Sequence, residues 1–559
     1  MRRIFLLGAL FVLAGVFAAG AATIQIVNID GAGEGFNDPT AAAPVGGNPG
    51  VTVGQQRLNV FQEAADIWGA LLPSAVTIRV RAKFDPQTCT SSSAVLGSAG
   101  PVEVYRDFAG AELASTWYHV ALANKLAGVD LNGGADDISA TFNSNLNGDP
   151  GCLGGTGWYY GFDGNEGADI ELLPVVLHEL GHGLGFSTLV GSGGAELSGF
   201  QDLYETFIRD NTQGMTWNNL TQLQRAASAV NTGNVVWDGF YGTVHAPLHL
   251  GGTPTMYVNA GALPPTIVIG TANFGPALTE GGVTGDVVLV DDGTGTTTDG
   301  CEPLVNAGAV AGNIALIDRG TCAFVTKAQE AQAAGAIAVI IANNLGTGAI
   351  SLGGSDPTIT IPVVSVSLAD GNAIKAELPG VNVTLALDPS QLAGADANGR
   401  VKLYAPNPYE SGSSISHWDV SALPNLLMEP AISSNLSGSV DLTLAHFTDL
   451  GWLDELPTGV EGGAAPAPGI AILSNYPNPF NPTTSIRYQI SPAQNVELAV
   501  FDVRGRLVRV LESGATPAGV HESDWDGTDR RGRPAASGIY YVRLAGEHDT
   551  MTRKIVLLK

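Results

Sequence analysis

Basic residues are scarce in this chain of 559 residues. It carries 26 Lys and Arg against 53 Asp and Glu, which gives a formal net charge of −27 at pH 7. A surface this acidic repels phosphate backbones and anionic headgroups, which argues against nucleic acid and membrane surfaces as partners. Charged residues make up 14% of the chain and hydrophobic residues 45%. The chain can therefore bury a sizeable core, and its length predicts three or four domains.

Long apolar runs are absent after the N-terminus. At the N-terminus itself, Arg2 and Arg3 precede an apolar stretch, Ile4–Phe17, and small residues follow at 19–21. This order is typical of a secretory signal peptide over residues 1–21, with an uncleaved membrane anchor as the alternative. We therefore expect a secreted protein, free outside the cell or attached to its surface, with no membrane span once the signal is removed.

Cysteine is rare, and no C-x-x-C pair is present, which argues against a cysteine-ligated metal site. The cysteines are Cys89, Cys152, Cys301 and Cys322. An even number in an exported chain predicts disulfides, and proximity along the chain favours the pairs Cys89–Cys152 and Cys301–Cys322. Free buried thiols are the alternative.

The motif HELGH, His178–His182, carries the chemistry. It follows a helical pattern at Asn59–Leu72 and strand patterns at Val76–Phe84 and 136–146, an order that suits an α+β domain. Two histidines one helical turn apart share a face and can hold one zinc ion, and Glu179 can take a proton from a water on that ion. A structural helix with two satisfied histidines is the alternative.

A third ligand is not evident beside the motif. Gly185 is expected to end the helix, and Thr188 stands where many zinc peptidases place a histidine. The later histidines are His245, His249, His417, His446, His521 and His548. Pro247 disfavours a helix that presents the first two, and the apolar run around His446 favours a core role. His521 and His548 lie beyond the predicted linker, in the separate C-terminal tail, and are therefore implausible ligands.

A family resemblance favours His417. The pieces HELGHGLGF, SHW, LM and LTLAHFTDLGW occur in order, and together they resemble the leishmanolysin-like peptidases of the metzincin clan over Asp136–Phe200 and Glu410–Trp452. The resemblance implies a set of site residues: zinc ligands His178, His182 and His417, catalytic Glu179 and the Met-turn residue Met428. A third ligand from His446, Glu196 or Glu205 is the alternative.

Two further modules have their own patterns. DGCEPL, GNIALIDRGTCAFVTKAQEAQAAGAIAVIIANN and ITIPVVSVSLADG resemble the protease-associated (PA) domain over 266–387, a non-catalytic α/β insert whose ends must lie close together for His417 to return. After a Pro- and Gly-rich linker at 456–469, residues 470–559 alternate short strands and turns. This tail resembles FlgD-like Ig domains and type IX sorting tails, which implies contact with the cell surface or secretion machinery.

A substrate-binding strand is expected beside the zinc helix. The candidate is ISATF, Ile138–Phe142, whose exposed edge could pair with an extended peptide, and a purely structural strand is the alternative. Asp-rich turns such as DLNGGADD could bind Ca²⁺, but their spacing does not match an EF-hand loop, so no motif supports Ca²⁺.

These patterns predict a multidomain α+β protein. A metzincin-like zinc peptidase domain at 22–265 and 388–455 carries the inserted α/β PA domain, and a β-sandwich Ig-like domain follows the linker. The predicted function is a secreted zinc-dependent endopeptidase with one catalytic Zn²⁺, in which Glu179 activates a zinc-bound water to hydrolyse peptide bonds of a protein or peptide substrate. The alternative is a catalytically inactive cell-surface adhesin or binding protein built on a peptidase fold.

Overall fold

The computed structural model describes most of the chain. The described residues are 20–346, 348–432, 436, 438–453, 469–476, 480, 482–491, 494–502, 506–517, 519–536, 538–546 and 550–557. Residues 1–19 of the predicted signal peptide and 456–468 of the predicted linker lie outside them. The chain divides into two compact units, Met1–Gly239 with Leu250–Leu456, and Phe240–His249 with Pro457–Lys559. Within the described part, no helix combines the length and apolarity needed to cross a bilayer.

The helices are short apart from the first and the third. They are α1 (Val53–Leu71), α2 (Val120–Ala127), α3 (Leu172–Leu184), α4 (Gln222–Ser228), α5 (Phe240–His249), α6 (Ala307–Val310), α7 (Phe324–Ala333), α8 (Leu368–Glu377) and α9 (Thr443–Asp449). Single 3₁₀ turns lie at Gly35–Asn37, Leu153–Gly155, Leu197–Gly199, Tyr204–Phe207 and Trp217–Asn219.

The strands of the first unit fall into two groups. Those before the insert are β1 (Ile24–Asn28), β2 (Ile78–Asp85), β3 (Gly97–Pro101), β4 (Val104–Tyr105), β5 (Tyr118–His119), β6 (Ile138–Asn143), β7 (Trp158–Tyr159), β8 (Ile170–Glu171), β9 (Ile208–Asp210), β10 (Met215–Thr216) and β11 (Val235–Trp237). Those of the insert are β12 (Gly252–Ala260), β13 (Thr266–Val268), β14 (Gly270–Thr271), β15 (Val283–Leu289), β16 (Ile314–Asp318), β17 (Ala338–Ala342), β18 (Val363–Val366) and β19 (Asn382–Leu392).

The sheet beside the HELGH motif has the order β1-β2-β6-β3. β1, β2 and β6 are parallel, and β3 is antiparallel to β6. The prediction that Ile138–Phe142 offers an exposed edge is therefore wrong, because β6 is hydrogen-bonded on both sides. The edge next to β6 is β3, whose sequence GSAGP has the composition of a turn rather than of a strand.

Helix α1 packs on the same face of this sheet as α3, because Phe142, which contacts α1, and Ile138, which lies against Gly183 of α3, point to one face of β6. It begins at Val53 rather than at the predicted Asn59, because the Thr52 side chain accepts a hydrogen bond from the Gln55 N–H and caps the helix. Its Phe61 ring packs edge-on against Phe36 and against Phe142 of β6. Each buried aromatic ring contributes about 1.5–3 kcal/mol to stability through its apolar area, so this cluster ties α1 to the sheet.

The insert is built on one mixed sheet of order β13-β12-β19-β15-β16-β17-β18-β14. Its central strands β15 to β18 are parallel. Helix α6 connects β15 to β16 and α7 connects β16 to β17, as the strand–helix alternation of the sequence predicts, whereas no described helix lies between β17 and β18. The insert starts and ends at neighbouring points, since Gly252 pairs with Leu392 and the Ala393 N–H donates to the Gly251 carbonyl at 2.9 Å. The chain thus leaves the first domain and returns to it at one place.

Two disulfides are present, in the pairs predicted. Cys89 is bonded to Cys152 in the first domain, and Cys301 to Cys322 in the insert. No described cysteine is free. Each bond closes a loop and so restricts the unfolded chain.

The second unit contains the C-terminal β-domain and α5. The strands of the β-domain are β20 (Gly469–Tyr476), β21 (Thr484–Ser491), β22 (Gln494–Asp502), β23 (Leu507–Thr516), β24 (Gly519–Trp525), β25 (Gly538–Ala545) and β26 (Thr550–Leu557). They form two sheets, β20-β21-β24 and β23-β22-β25-β26, around a core that includes Trp525 and Val542. Helix α5 contains Pro247 and both His245 and His249, although this proline disfavours a helix that presents the two histidines.

Candidate metal centre

Helix α3 is buried along its whole length and carries the HELGH motif. Its residues are mostly apolar, and Pro174 lies in the first turn, where a missing N–H is not needed. Gly185 ends the helix with a φ of 135°, a conformation that favours glycine. A Cβ on Gly183 would lie 2.4 Å from the Ile138 side chain of β6. Only a glycine therefore lets the helix pack this closely on the sheet.

Two tryptophans fix the helix from outside. The Trp68 indole N–H donates to the Leu177 carbonyl at 3.1 Å, and the Trp452 indole N–H donates to the Leu184 carbonyl at 2.9 Å. The second bond satisfies a carbonyl at the helix end that has no partner within the helix. The backbone that bears the histidines is thus held both at its middle and at its C-terminus.

Three imidazole rings converge beside this helix. The Nε2 atoms of His178 and His182 lie 3.1 Å apart, and each lies 3.2 Å from Nε2 of His417. All three side chains are buried. Three nitrogens bound tetrahedrally to one zinc ion at ~2.05 Å would be about 3.3 Å apart. The spacing of the rings therefore fits a zinc ion.

The hydrogen bonds of the rings explain why a cation fits. In each ring Nδ1 faces a backbone carbonyl, so Nδ1 carries the proton and Nε2 is left with a bare lone pair. The Nδ1 acceptors are Leu427 at 2.7 Å for His178, Phe186 at 2.8 Å for His182 and Ser413 at 2.8 Å for His417. Three bare lone pairs this close repel one another unless a cation lies between them.

Burial keeps these histidines neutral. It lowers the pKa of His178 to about 3 and that of His182 to about 4, and it lowers the pKa of His417 well below its usual value. The neighbouring histidines add to the effect for His178 and His417. Neutral imidazole is the form that binds a metal, so the rings are ready to bind at physiological pH.

Glu179 lies next to the histidine cluster with only one of its oxygens engaged. Burial raises its pKa to about 8, and a hydrogen bond from the Ala99 backbone opposes that rise. Its Oε2 has no hydrogen-bond partner among the described residues. A Cβ on Gly97 would lie 3.1 Å from both Cγ and Oε1 of Glu179. Strand β3 therefore runs directly along this carboxyl group.

Met428 lies against the motif helix. It is fully buried, and a Cβ on Gly181 would lie 2.8 Å from its sulfur atom. Its carbonyl accepts a hydrogen bond from the Trp418 N–H at 2.8 Å, which joins the methionine turn to the residue after His417. The preceding N–H, of Leu427, donates to the partly buried Asp441 carboxylate.

The other candidate ligands of the first unit have different surroundings. His446 is buried between the rings of Phe186 and Trp237, at centroid distances of 4.2 and 3.9 Å, as expected of a core histidine. Glu196 pairs with Arg225 at 2.9 Å, and Glu205 is buried without a hydrogen bond to its carboxyl group from any described residue. The remaining positions are His245 and His249 in α5, His521 in β24, and His548 outside the described residues.

Some residues of the site carry no signal in the sequence. Gly97 and Ala99 lie in a segment without the apolar alternation of a strand, and Asp441 follows a polar turn. Their roles depend on contacts with residues distant in the chain. Gly181 had a weak signal, since a glycine in mid-helix usually has a packing reason.

The described chain also brings together Asp292, Asp299 and Glu302, which lie in the insert beside the buried Lys327 ammonium.

Comparison with known families identifies two modules. A model of the PA domain matches residues 283–374, and a model of the FlgD Ig-like domain matches residues 480–549. The chain therefore contains a PA domain within its first unit and an FlgD Ig-like domain at its C-terminus, as the sequence patterns predict. No curated protein matches the chain.

Several solved peptidases match parts of the chain. A zinc aminopeptidase from Bacillus subtilis is 29% identical over 25% of this chain and 32% of its own, with a TM-score of 0.19. An aminopeptidase from Aneurinibacillus sp. strain AM-1 is 22% identical over 27% of this chain and 37% of its own, with a TM-score of 0.18. The subtilisin-like protease Apa1 from Pseudoalteromonas sp. AS-11 is 20% identical over 25% and 34%, with a TM-score of 0.19. The matches thus span about a third of these proteins.

Proposed function

We propose that this protein is a secreted zinc-dependent endopeptidase of the leishmanolysin-like metzincin type. His178, His182 and His417 would hold the metal, Glu179 would act as the general base, and Met428 would form the Met-turn. The observation that carries the proposal is the convergence of three neutral imidazoles, with Nε2 atoms 3.1–3.2 Å apart, beside a glutamate with a free oxygen. The two disulfides support export, because such bonds persist in oxidising compartments.

Glu179 is suited to moving a proton. Zinc, when bound, would acidify a water and polarise the substrate carbonyl, and its charge would favour the carboxylate form of Glu179. The Glu179 carboxylate then takes a proton at its free Oε2 and delivers it to the nitrogen of the departing amine. Burial of Glu179 keeps bulk water from competing for this proton.

The edge of β3 is suited to binding the substrate. It is the outer strand of its sheet, and it passes Glu179 at Gly97. An extended peptide that adds to this edge would lie along the catalytic glutamate, and the small side chains of GSAGP would leave room for it. A strand edge hydrogen-bonds the main chain at alternate residues along its length, which favours cleavage within a peptide over trimming of its end.

Two variants of the full chain test the proposal. In Glu179→Gln, zinc should remain at one ion per chain while hydrolysis of an unstructured protein substrate falls by about 10³-fold or more, because the general base is lost. In His417→Ala, zinc itself should be lost. Zinc is measured by elemental analysis and hydrolysis by release of a fluorescent peptide.

Three other outcomes would contradict the proposal. Full activity of Glu179→Gln would remove the assigned base. Wild-type protein that contains no zinc and cleaves nothing would favour a cell-surface binding protein that has lost catalysis. Zinc retained in His417→Ala but lost in a Glu196 or Glu205 variant would assign the third ligand to an acidic residue.

The C-terminal FlgD Ig-like domain suggests where the enzyme acts. Such a domain points to the bacterial surface, so we propose that it attaches the enzyme there or guides its secretion.

A further inference from the structure

Ile415, two positions before His417, has an unfavourable backbone conformation. Its φ is 72°, a region that β-branched residues almost never occupy. The residue is 1% exposed, so solvent does not stabilise it. Such a conformation persists only where surrounding contacts hold it, and it sets the direction in which the next residues leave.

Two hydrogen bonds hold Ile415 in this conformation. Its N–H donates to the Tyr404 carbonyl at 2.7 Å, and its carbonyl accepts from the Tyr204 hydroxyl at 3.0 Å. The Tyr404 N–H in turn donates to the His417 carbonyl at 2.9 Å. The backbone from Ile415 to His417 is therefore hydrogen-bonded to Tyr404 at both of its ends.

Tyr204 belongs to the part of the chain before the insert, and Ile415 to the part after it. The Tyr204 side chain is 2% exposed, and its ring packs between Phe186 and Trp237 at centroid distances of 5.7 and 4.9 Å. Phe186 is also the residue whose carbonyl accepts from His182. The ring of Tyr204 is thus fixed to the segment that leaves the motif helix.

A second contact crosses the same junction. The Thr188 N–H donates to the Ser416 hydroxyl at 3.3 Å, and the Thr188 hydroxyl donates to the buried Asp202 carboxylate at 2.8 Å. Asp202 also accepts from the Leu189 N–H at 2.6 Å. Thr188 occupies the position where other zinc peptidases carry a histidine, and here it contacts the residue before His417.

We propose that Tyr204, assisted by Thr188, is a positioning residue that holds the third ligand, His417, in place across the insert. The proposal rests on the proposed function, because it assumes a metal at the three histidines. Loss of the Tyr204 hydroxyl would let Ile415 relax to a negative φ, which would turn Ser416 and His417 away from the other two rings. The pair on α3 would be left unchanged.

The test compares Tyr204→Phe with wild type as full-length zinc-loaded proteins. Zinc release into excess chelator should become faster, because the loss of an outer contact of a metal ligand typically lowers metal affinity by about 10–100-fold. The visible spectrum of the cobalt-substituted protein should also change, because it reports ligand geometry. Tyr540→Phe is the matched control, since this buried tyrosine also donates to a backbone carbonyl, Ala536 at 2.7 Å, but in the Ig-like domain.

A second substitution separates positioning from general stability. Glycine adopts a φ of 72° without strain, so Ile415→Gly placed in the Tyr204→Phe background should slow zinc release again. The melting temperature of each zinc-free variant shows whether the fold is kept. Zinc release and cobalt spectrum unchanged in Tyr204→Phe would overturn the positioning role alone. Wild-type protein without bound zinc would overturn the proposed function, and the positioning role with it.

Discussion

Glycine at position 97 has a reason that becomes visible only next to Glu179. The residue is the first of β3, and a Cβ there would lie 3.1 Å from the Glu179 side chain and 3.2 Å from the Phe142 ring. Contacts this short force a neighbour to shift by a few tenths of an ångström. The neighbour here is the proposed general base, whose position decides how well it reaches a proton.

Gly97→Ala is therefore expected to slow the chemical step. We expect kcat for peptide hydrolysis to fall about 10-fold through the displaced carboxyl group, with zinc content unchanged. Steady-state kinetics and elemental analysis of the purified protein measure both.

Gly100→Ala is the matched control in the same strand, because a Cβ at Gly100 meets no atom within 4 Å. Equal losses in both variants would show that the effect belongs to the strand and not to Glu179. Unchanged kcat in Gly97→Ala would contradict the contact.

At the scale of single residues, the sequence carries the chemistry but not the contacts. His178, Glu179 and His182 could be predicted because they are neighbours on one helix, so their spacing fixes their relative positions. Gly97, Asp441 and the Thr188 contact could not, because each depends on a residue from a different element.

The segment that follows the motif helix contains two buried carboxyl groups. Asp202 is 3% exposed and accepts hydrogen bonds from the backbone of the same segment, whereas Glu205 is fully buried and no described residue donates to its carboxyl group. Burial raises the pKa of Glu205, the charge of Asp202 raises it further, and Arg225 opposes the rise in part. The Glu205 carboxyl group therefore favours its protonated form in the folded protein.

This burial predicts a pH dependence of stability. A carboxyl group with a raised pKa stabilises the folded state at low pH, and that contribution is lost as the pH rises through the folded pKa. Glu205→Gln cannot ionise, so its free energy of unfolding relative to wild type should improve by about 1–3 kcal/mol between pH 5 and pH 8.5. Chemical unfolding at both pH values measures the change.

Glu63, exposed on α1, serves as the control for this effect. Glu63→Gln should follow the wild-type pH profile. A Glu205→Gln variant that is less stable than wild type at both pH values to the same extent would show that the carboxylate form is the one the fold requires.

At the scale of elements, periodicity predicts helices well and weak strands poorly. The motif helix and the strand–helix alternation of the insert follow from apolar spacing. The start of α1 was missed because its first turn is polar, although Thr52 and the glutamine that follows it signal a cap. β3 was missed because Gly, Ser and Pro have low strand propensity, so its pairing with β6 supplies what its sequence does not.

At the scale of the whole molecule, a complete domain lies between the motif helix and His417 along the chain. The insert does not separate them in space, because its first and last residues are hydrogen-bonded neighbours. Because the folded insert brings its own two ends together, its length adds little to the conformational entropy that the first domain loses on folding.

Removal of the insert should therefore leave the metal site able to form. We expect a chain in which a short Gly/Ser linker replaces residues 252–392 to fold and to bind one zinc ion. Elemental analysis measures the zinc, and His417→Ala in the shortened chain is the control that should lose it. A folded but zinc-free shortened chain would show that the insert itself helps to position His417.

The sequence by itself determined the modules and half of the candidate site. Local spacing was enough for the histidine pair, the adjacent glutamate, the PA domain and the FlgD Ig-like domain, because each is encoded by neighbours in the chain. Only the tertiary structure decided that His417 lies 3.2 Å from the pair, that β3 rather than β6 is the edge, and that Thr188 contacts Ser416. These facts depend on where the chain returns after the insert, and that return is fixed by packing between distant segments rather than by any local pattern.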